Sequence, residues 1–257
     1  MAEGREVVAI EPAGEAAPGE GGFLTLVRLK YRNLYPGGGR SRPYLYEYIH
    51  RRGYDAVAVA LFHEEEGEPH MAWRPGIRVP VYFRKDLPLA VPDGRVYLHT
   101  PEAVAGSVEE GDRGVEGLLR RVVEEVWEEA GFRVAAGEVL SLGGGFFPSH
   151  GQSSEKIHLC AVRVSPSRRE KAPGDGSVNE ADAPAVRFSP VREILVKSAA
   201  GEMEDPKLEI LAWRLCLRLG YLPLEGRYAG PSESPLLEPF RSALARGGWL
   251  AGRGERP

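Results

Sequence analysis

Cysteine is scarce in this chain: two residues, Cys160 and Cys216, in 257. Each sits in an apolar run, and neither has a CxxC or Cys/His partner. That excludes a disulfide scaffold and a cysteine-based zinc site, and reads both as small buried hydrophobes. No apolar run approaches the roughly 18 residues that span a membrane. No basic segment followed by an apolar core opens the chain, so no export signal is visible and the expected location is the cytoplasm. Positive charge is not in excess: 33 Lys and Arg against 37 Asp and Glu leave a net charge of -4. That argues against the broad basic footprint of a nucleic-acid-binding protein. The six histidines form no cluster with cysteine or acid at ligand spacing. There is no internal repeat.

What is present suits a globular chain, with 42% hydrophobic and 27% charged residues, enough for one large domain or a domain with an appendage. Residues 1–22 are rich in Gly, Ala, Pro and Glu and read as loose, with a short strand around Val7–Ile10. Residues 23–53 read as a β hairpin, with strands from Phe23 and from Tyr44 around the turn 36–43. A lone hairpin is too small to fold alone, so it packs on the main domain or on a second chain. The near-continuous apolar run from Tyr54 to His63 reads as a central strand, followed by a second strand carrying Trp73, Arg74 and Arg78. A polar loop at 83–94 and a short strand over Arg95–Thr100 come next. Beyond Gly131 the expected order is a short strand, a Gly-rich loop, a strand over Ile157–Val164, a polar loop at 168–185, then a strand and a short helix. Asp205, Pro206 and Gly220 punctuate a further helix, in which Trp213 reads as core. A Gly/Pro-rich tail, 223–257, holds one short helical segment. Strands and helices interleave, so the expected class is α+β, a sandwich around a mixed sheet with its main domain over 54–222.

The stretch Ala105–Phe132 organises the rest. A small-residue loop carrying several carboxylates runs into an acidic amphipathic helix that stops at Gly131. At about 100° per residue, Glu125, Glu128 and Glu129 share one sector, while Val115, Val122, Val126 and Ala130 form the stripe facing the core. Like charges at i, i+3 and i+4 repel, and a helix C-terminus favours cations rather than acids. A hard divalent cation would relieve the repulsion. The plain alternative is a solvated acidic face.

EEVWEEAGF resembles the second half of the Nudix box, G-x5-E-x7-R-E-U-x-E-E-x-G-U, where U is apolar. Glu125, Val126, Glu128, Glu129, Gly131 and Phe132 match, and Glu116 stands in register with the earlier glutamate. Glu124 occupies the usual Arg position, and Glu110 stands where the box glycine belongs. EAVAG, ending at Gly106, instead resembles the segment that opens the box in the ADP-ribose and nucleotide-sugar branch, which makes the loop four residues longer. Pro148, sixteen residues past Phe132, the stretch GGFFPSHGQSSEKIHL, and GEMEDPK resemble further marks of that branch.

This resemblance implies a Nudix-type α/β/α sandwich with a small N-terminal antiparallel hairpin through which the chain forms a homodimer. It implies Mg2+-dependent hydrolysis, with Mn2+ as a substitute, of the pyrophosphate bond in a nucleoside diphosphate linked to another group, such as ADP-ribose or a related nucleotide sugar. Glu125 and Glu129 would be the main metal ligands, with Glu128 in support and the Ala105 carbonyl as a further ligand. Glu129 and, from the late loop, Glu180 would be catalytic, with Asp182 and then Glu155 as alternatives to Glu180. Arg74, Arg78, Gly106, Phe147, His150 and Glu155 would contact substrate. For either arginine the alternative is an ordinary surface residue. Arg121, one turn before Glu125, would partly replace the missing box arginine. The competing reading is a catalytically impaired Nudix domain that binds a nucleotide ligand or regulates.

Overall fold

A computed structural model describes residues 7–14, 22–178 and 184–250. Its centre is β3 (Ala56–Glu65), whose first seven residues are all buried. Side chains alternate across a strand, so Val57, Val59 and Leu61 face one layer while Ala56, Ala58, Ala60 and Phe62 face the other. A strand covered on both faces needs the continuous apolar run seen in the sequence.

β3 pairs in parallel with β8 (Ile157–Arg163) and antiparallel with β4 (Glu68–Gly76) and β6 (Val104–Ser107). β5 (Thr100–Glu102) and β9 (Arg187–Pro190) extend β4, and β7 (Leu140–Ser141) extends β8, giving a seven-stranded mixed sheet. The ladder between β3 and β4 covers only Phe62–Glu65 against Met71–Glu68. β4 then leaves β3 and pairs with β9 and β5, while β6 takes the freed edge at Ala56–Val59. This parting of β3 and β4 leaves the end of β4 free to face β6 and the helix above it.

α2 (Gly114–Ala130) covers one face of the sheet, burying Leu119, Val122, Val126 and Ala130 against Val57, Val59 and Leu61, with Val115 partly buried beside them. It ends at Gly131 in the left-handed region, φ 73°, where a Cβ would meet the Glu170 carbonyl at 2.1 Å. α3 (Val191–Ala199) and α4 (Pro206–Leu219) cover the other face through Ile194, Leu208, Leu211 and Leu215. Helices on both faces of a mixed sheet make the α+β sandwich expected from the sequence. A short α1 (Val79–Tyr82) follows β4, and α5 (Ser234–Gly247) packs on α4. The hairpin of β1 (Leu24–Tyr31) and β2 (Tyr44–Arg51) forms its own two-stranded sheet. A second such sheet, β10 (Tyr221–Leu222) with β11 (Arg227–Tyr228), follows α4. Among the described residues no helix is long and apolar enough to cross a membrane.

Four local expectations are corrected. Val7–Ile10 form no strand. Arg95–His99 are not a strand either: the Arg95 side chain is engaged by Asp93 and Glu204, and only Thr100–Glu102 reach β4. Ala105–Gly106 belong to strand β6 rather than a loop. Trp213 is 41% exposed, because the inward stripe of α4 runs through Leu208, Leu211, Ala212, Leu215 and Cys216 and turns position 213 outward. Both cysteines are buried and unbridged, as expected.

Candidate active site

α2 and β6 meet so closely that one residue type is imposed. A Cβ on Gly106 would lie 1.7 Å from Glu125 Oε1 and 1.8 Å from its Cδ, so the Glu125 carboxylate rests on the bare glycine backbone. Next to it, the Ala105 N–H donates to Glu129 Oε2 at 3.0 Å. The other oxygen, Glu129 Oε1, meets the Arg74 guanidinium at 2.7 Å, and both side chains are buried. The end of β4, the edge strand β6 and the last turns of α2 thus hold Arg74, Ala105, Gly106, Glu125 and Glu129 together.

One turn earlier on α2, Arg121 brings positive charge to the helix acids. Arg121 is buried and donates from Nε to Asp112 at 3.0 Å, with Glu109 at 3.1 Å, Glu124 at 3.4 Å and Glu125 at 3.7 Å. Burial disfavours the Arg121 charge, but Asp112 and the neighbouring acids outweigh it and raise its pKa. The same contacts act on Asp112. Burial raises its pKa, and the Glu109 N–H, Arg120 and Arg121 together bring it below the ordinary value. Asp112 therefore anchors the segment between β6 and α2. Glu116 stands exposed in the first turn of α2.

The late loop packs on the C-terminal end of α2. Gly174 N–H donates to the Glu128 carbonyl at 2.9 Å, Glu170 N–H to the Gly131 carbonyl at 2.8 Å, and Arg169 to the carbonyls of Ala130 and Val186 at 3.1 and 2.8 Å. A cation at this end suits the macrodipole, while burial lowers the Arg169 pKa. Loop and helix enclose a cavity of about 520 Å³ lined by Arg74, Glu128, Glu129, Arg169 and Lys171. Glu180 and Asp182 lie outside the described residues.

Other sites named from the sequence lie around this centre. Arg78 grips Glu102 through two hydrogen bonds of 2.7 and 2.6 Å and faces a separate cavity of about 720 Å³ with Arg95, His99 and Lys207. For the buried Glu102, desolvation raises the pKa, yet the Arg78 contact outweighs it and the net shift is downward. The 720 Å³ cavity is the larger, but the carboxylates of α2 line the 520 Å³ one, so the chemistry favours the latter. Glu155 pairs with Arg51 at the end of β2, and Arg51 also bonds Ser107, one residue past Gly106. His150 lines a different cavity with Tyr31, Tyr44, Tyr46 and Tyr48, and the exposed Phe147 lies 6.4 Å from it, ring to ring. The structure thus groups Phe147 and His150 with the hairpin rather than with the helix carboxylates. Arg51, Arg169 and Lys171 were not singled out from the sequence. The signal for the last two was a basic run, SRREK, just after a strand and able to face an acidic helix end.

Three carboxylates and a backbone carbonyl are hard oxygen donors, which fits a divalent cation of the Mg2+ kind in chemistry. The ligand atoms of Glu125, Glu128 and Glu129 are not gathered within 4.8 Å of one another, and Arg74 supplies the positive charge at Glu129.

No family model matches the chain, and no curated protein matches it. Among solved structures it is similar to one described as an ADP compounds hydrolase, at 14% identity and TM-score 0.47, over 77% of this chain and 95% of that one. It is similar to a NUDIX hydrolase from Nitrosomonas europaea at 15% identity and TM-score 0.42, over 68% and 91%. The NUDIX domain of Shewanella oneidensis NrtR, complexed with ADP ribose, is similar at 12% identity and TM-score 0.37, over 55% and 75%.

Proposed function

We propose that this chain is a Nudix-type hydrolase that cleaves the pyrophosphate of a nucleoside diphosphate linked to another group, with ADP-ribose or a related nucleotide sugar as the substrate class. The observation that carries this reading is the seating of Glu125 on Gly106 beside the Ala105–Glu129 hydrogen bond. A solvated acidic face would point its carboxylates outward; here two of them are buried against an edge strand. A bound divalent ion, Mg2+ with Mn2+ as substitute, would neutralise the phosphates and sharpen the attacking water, and Glu125, Glu128, Glu129 and the Ala105 carbonyl would hold it. Arg74 meets Glu129 Oε1 at 2.7 Å and fixes its orientation. Arg169 and Lys171 line the same cavity and put positive charge there, which favours an anionic substrate. In this proposal Glu180 is the late-loop base, with Asp182 next, and Arg78 and Glu155 are substrate contacts outside this cavity. Phe147 and His150 are proposed as contacts for the far end of the substrate.

The homodimer is part of the same proposal. Leu24, Leu26 and Leu45 on one face of the hairpin, and Leu29 and Tyr44 on the other, are exposed, an apolar surface that a second copy of the chain would cover. Light scattering of Leu26→Glu against the parent chain tests it, with a shift to monomer expected. The cytoplasm remains the proposed location.

A second reading, a ligand-binding module without turnover, is favoured by one observation: Arg74 already neutralises Glu129. Phosphate release coupled to a phosphatase, with Mg2+ and a panel of nucleoside diphosphate compounds, separates the two. The hydrolase turns over at least one compound, and Glu129→Gln abolishes that turnover while the fold persists. Tight binding with no turnover of any compound would establish the module instead.

A further inference from the structure

The expectation that no histidine joins an acid at ligand spacing is overturned at the tip of the β3–β4 hairpin. One ligand atom from each of His63, Glu65 and His70 lies within 4.8 Å of the other two. Their linear spacing hides this, and the fold supplies it. Glu66 and Gly67 both have positive φ, 51° and 84°, forming the two-residue turn whose twist suits a hairpin. That turn sets His63 directly opposite His70, with ring centroids 5.3 Å apart. Glu65 lies two residues beyond His63, on the same face of β3, and its Oε2 is 3.6 Å from His70 Nδ1. Two neighbours fix the group. Phe188 packs edge-on against His63 at 4.9 Å, and Glu68, 3.9 Å from His70 Nε2, is held by the Tyr221 hydroxyl at 3.0 Å.

We propose that His63, Glu65 and His70 form a metal site for Zn2+ or a similar borderline divalent ion, clamping β3 to β4. Two imidazoles and one carboxylate are the donors such ions prefer, whereas Mg2+ selects all-oxygen sites such as the α2 carboxylates. Donor atoms around a tetrahedral Zn2+ stand about 3.3 Å apart, so closure asks for roughly an ångström and a half of side-chain movement at a hairpin end. Water completes the shell, since Glu68 faces the other ring nitrogen, Nε2, of His70. The site is separate from the proposed catalytic one, because His70 and Arg74 are four residues apart on β4, about 13 Å along the strand. It does not depend on that assignment.

The test uses the full chain, freed of metal and then titrated with Zn2+ alone in excess Mg2+. One equivalent of Zn2+ should bind and raise the melting temperature. His63→Gln and His70→Gln should each weaken binding at least tenfold, Glu65→Gln less, and Glu129→Gln not at all. Diethyl pyrocarbonate labelling, mapped by mass spectrometry on the unmutated chain, gives a readout that does not rely on variants. Zn2+ should protect His63 and His70 but leave the exposed His150 reactive. Equal labelling of His63 and His70 with and without Zn2+ would overturn the proposal, as would unchanged Zn2+ affinity in a folded His63→Gln/His70→Gln double variant.

Discussion

Gly106→Ala separates catalysis from stability. The new Cβ would stand 1.7 Å from Glu125 Oε1, 1.8 Å from Cδ and 2.4 Å from Oε2. Ordinary carbon–oxygen contact is about 3.4 Å, so the carboxylate must retreat by roughly 1.5 Å. The obstructing group is the end of a flexible side chain, and the Gly106 φ lies outside the left-handed region, so the backbone accepts alanine. Replacing glycine at an unstrained position gains about 0.4–1 kcal/mol from the unfolded state, which offsets much of the repacking cost. The melting temperature should therefore move by only a few degrees. Catalysis should suffer far more, since a misplacement of about an ångström costs on the order of a hundredfold, equivalent to about 2.7 kcal/mol of barrier. The assay is kcat/KM as a function of Mg2+ concentration, with the concentration giving half-maximal rate shifting upward. Glu125→Asp shortens the side chain by about 1.5 Å. Added to Gly106→Ala it should restore part of the lost rate, which a double-mutant cycle would register as a coupling energy. A Gly106→Ala protein that is folded and turns over within threefold of the parent would refute the assignment of Glu125.

Three further perturbations follow from the same geometry. Arg74→Met leaves the buried Glu129 without its cation and should cost about 3–5 kcal/mol in denaturant melts, with part recovered by added Mg2+; a loss below about 1 kcal/mol would show the pair to be dispensable. Glu102 and Asp112 have pKa values held below their ordinary 4.5 and 3.8, so their contribution is complete above those values and is lost as pH falls through the lower folded-state ones. Acid melts should steepen below about pH 4.5, and Glu102→Gln should flatten that dependence. Asp205 caps α4 through the Lys207 N–H and also accepts from the Ala103 N–H, both at 3.0 Å, so Asp205→Ala should cost about 1–2 kcal/mol by chemical denaturation and Asp205→Asn clearly less.

Features set by local chemistry were readable from the sequence. The buried run of β3, the core stripe of α2, the stop at Gly131 and the cap at Asp205 each follow from periodicity or from one residue's conformational preference. The misses arose where tertiary partners decided the outcome. Arg95–Thr100 alternates like a strand, but β4 offers an edge only to its last residue and the two that follow. Ala105–Gly106 looked like a loop because small residues usually mark one. They form a strand because β4 departs and frees an edge of β3. Arg74 resembles a basic position that contacts substrate, and that role stands as a proposal. Its pairing with Glu129, far along the chain, is what spacing did not reveal, because it depends on the parting of β3 and β4. The histidine pair was invisible at the level of spacing, since a two-residue turn converts a separation of seven positions into direct opposition.

That parting of β3 and β4 also brings in Arg74, one of the cations that offset the acids of α2. The box pattern places a cation within the helix itself, among its acids. Here Glu124 adds to the repulsion among Glu125, Glu128 and Glu129, and the compensation arrives from α2 itself and from two other elements. Arg121 comes from the preceding turn, Arg74 from the free end of β4, and Arg169 with Lys171 from the late loop. Of these, only Arg121 could have been inferred from helix geometry. Arg121 and Arg74 meet Glu124, Glu125 and Glu129 directly, which eases the repulsion along the helix. In the proposed function, cation binding would act on substrate phosphate rather than on structure, because Ala105, Gly106 and Arg74 already hold the Glu129 and Glu125 carboxylates in place.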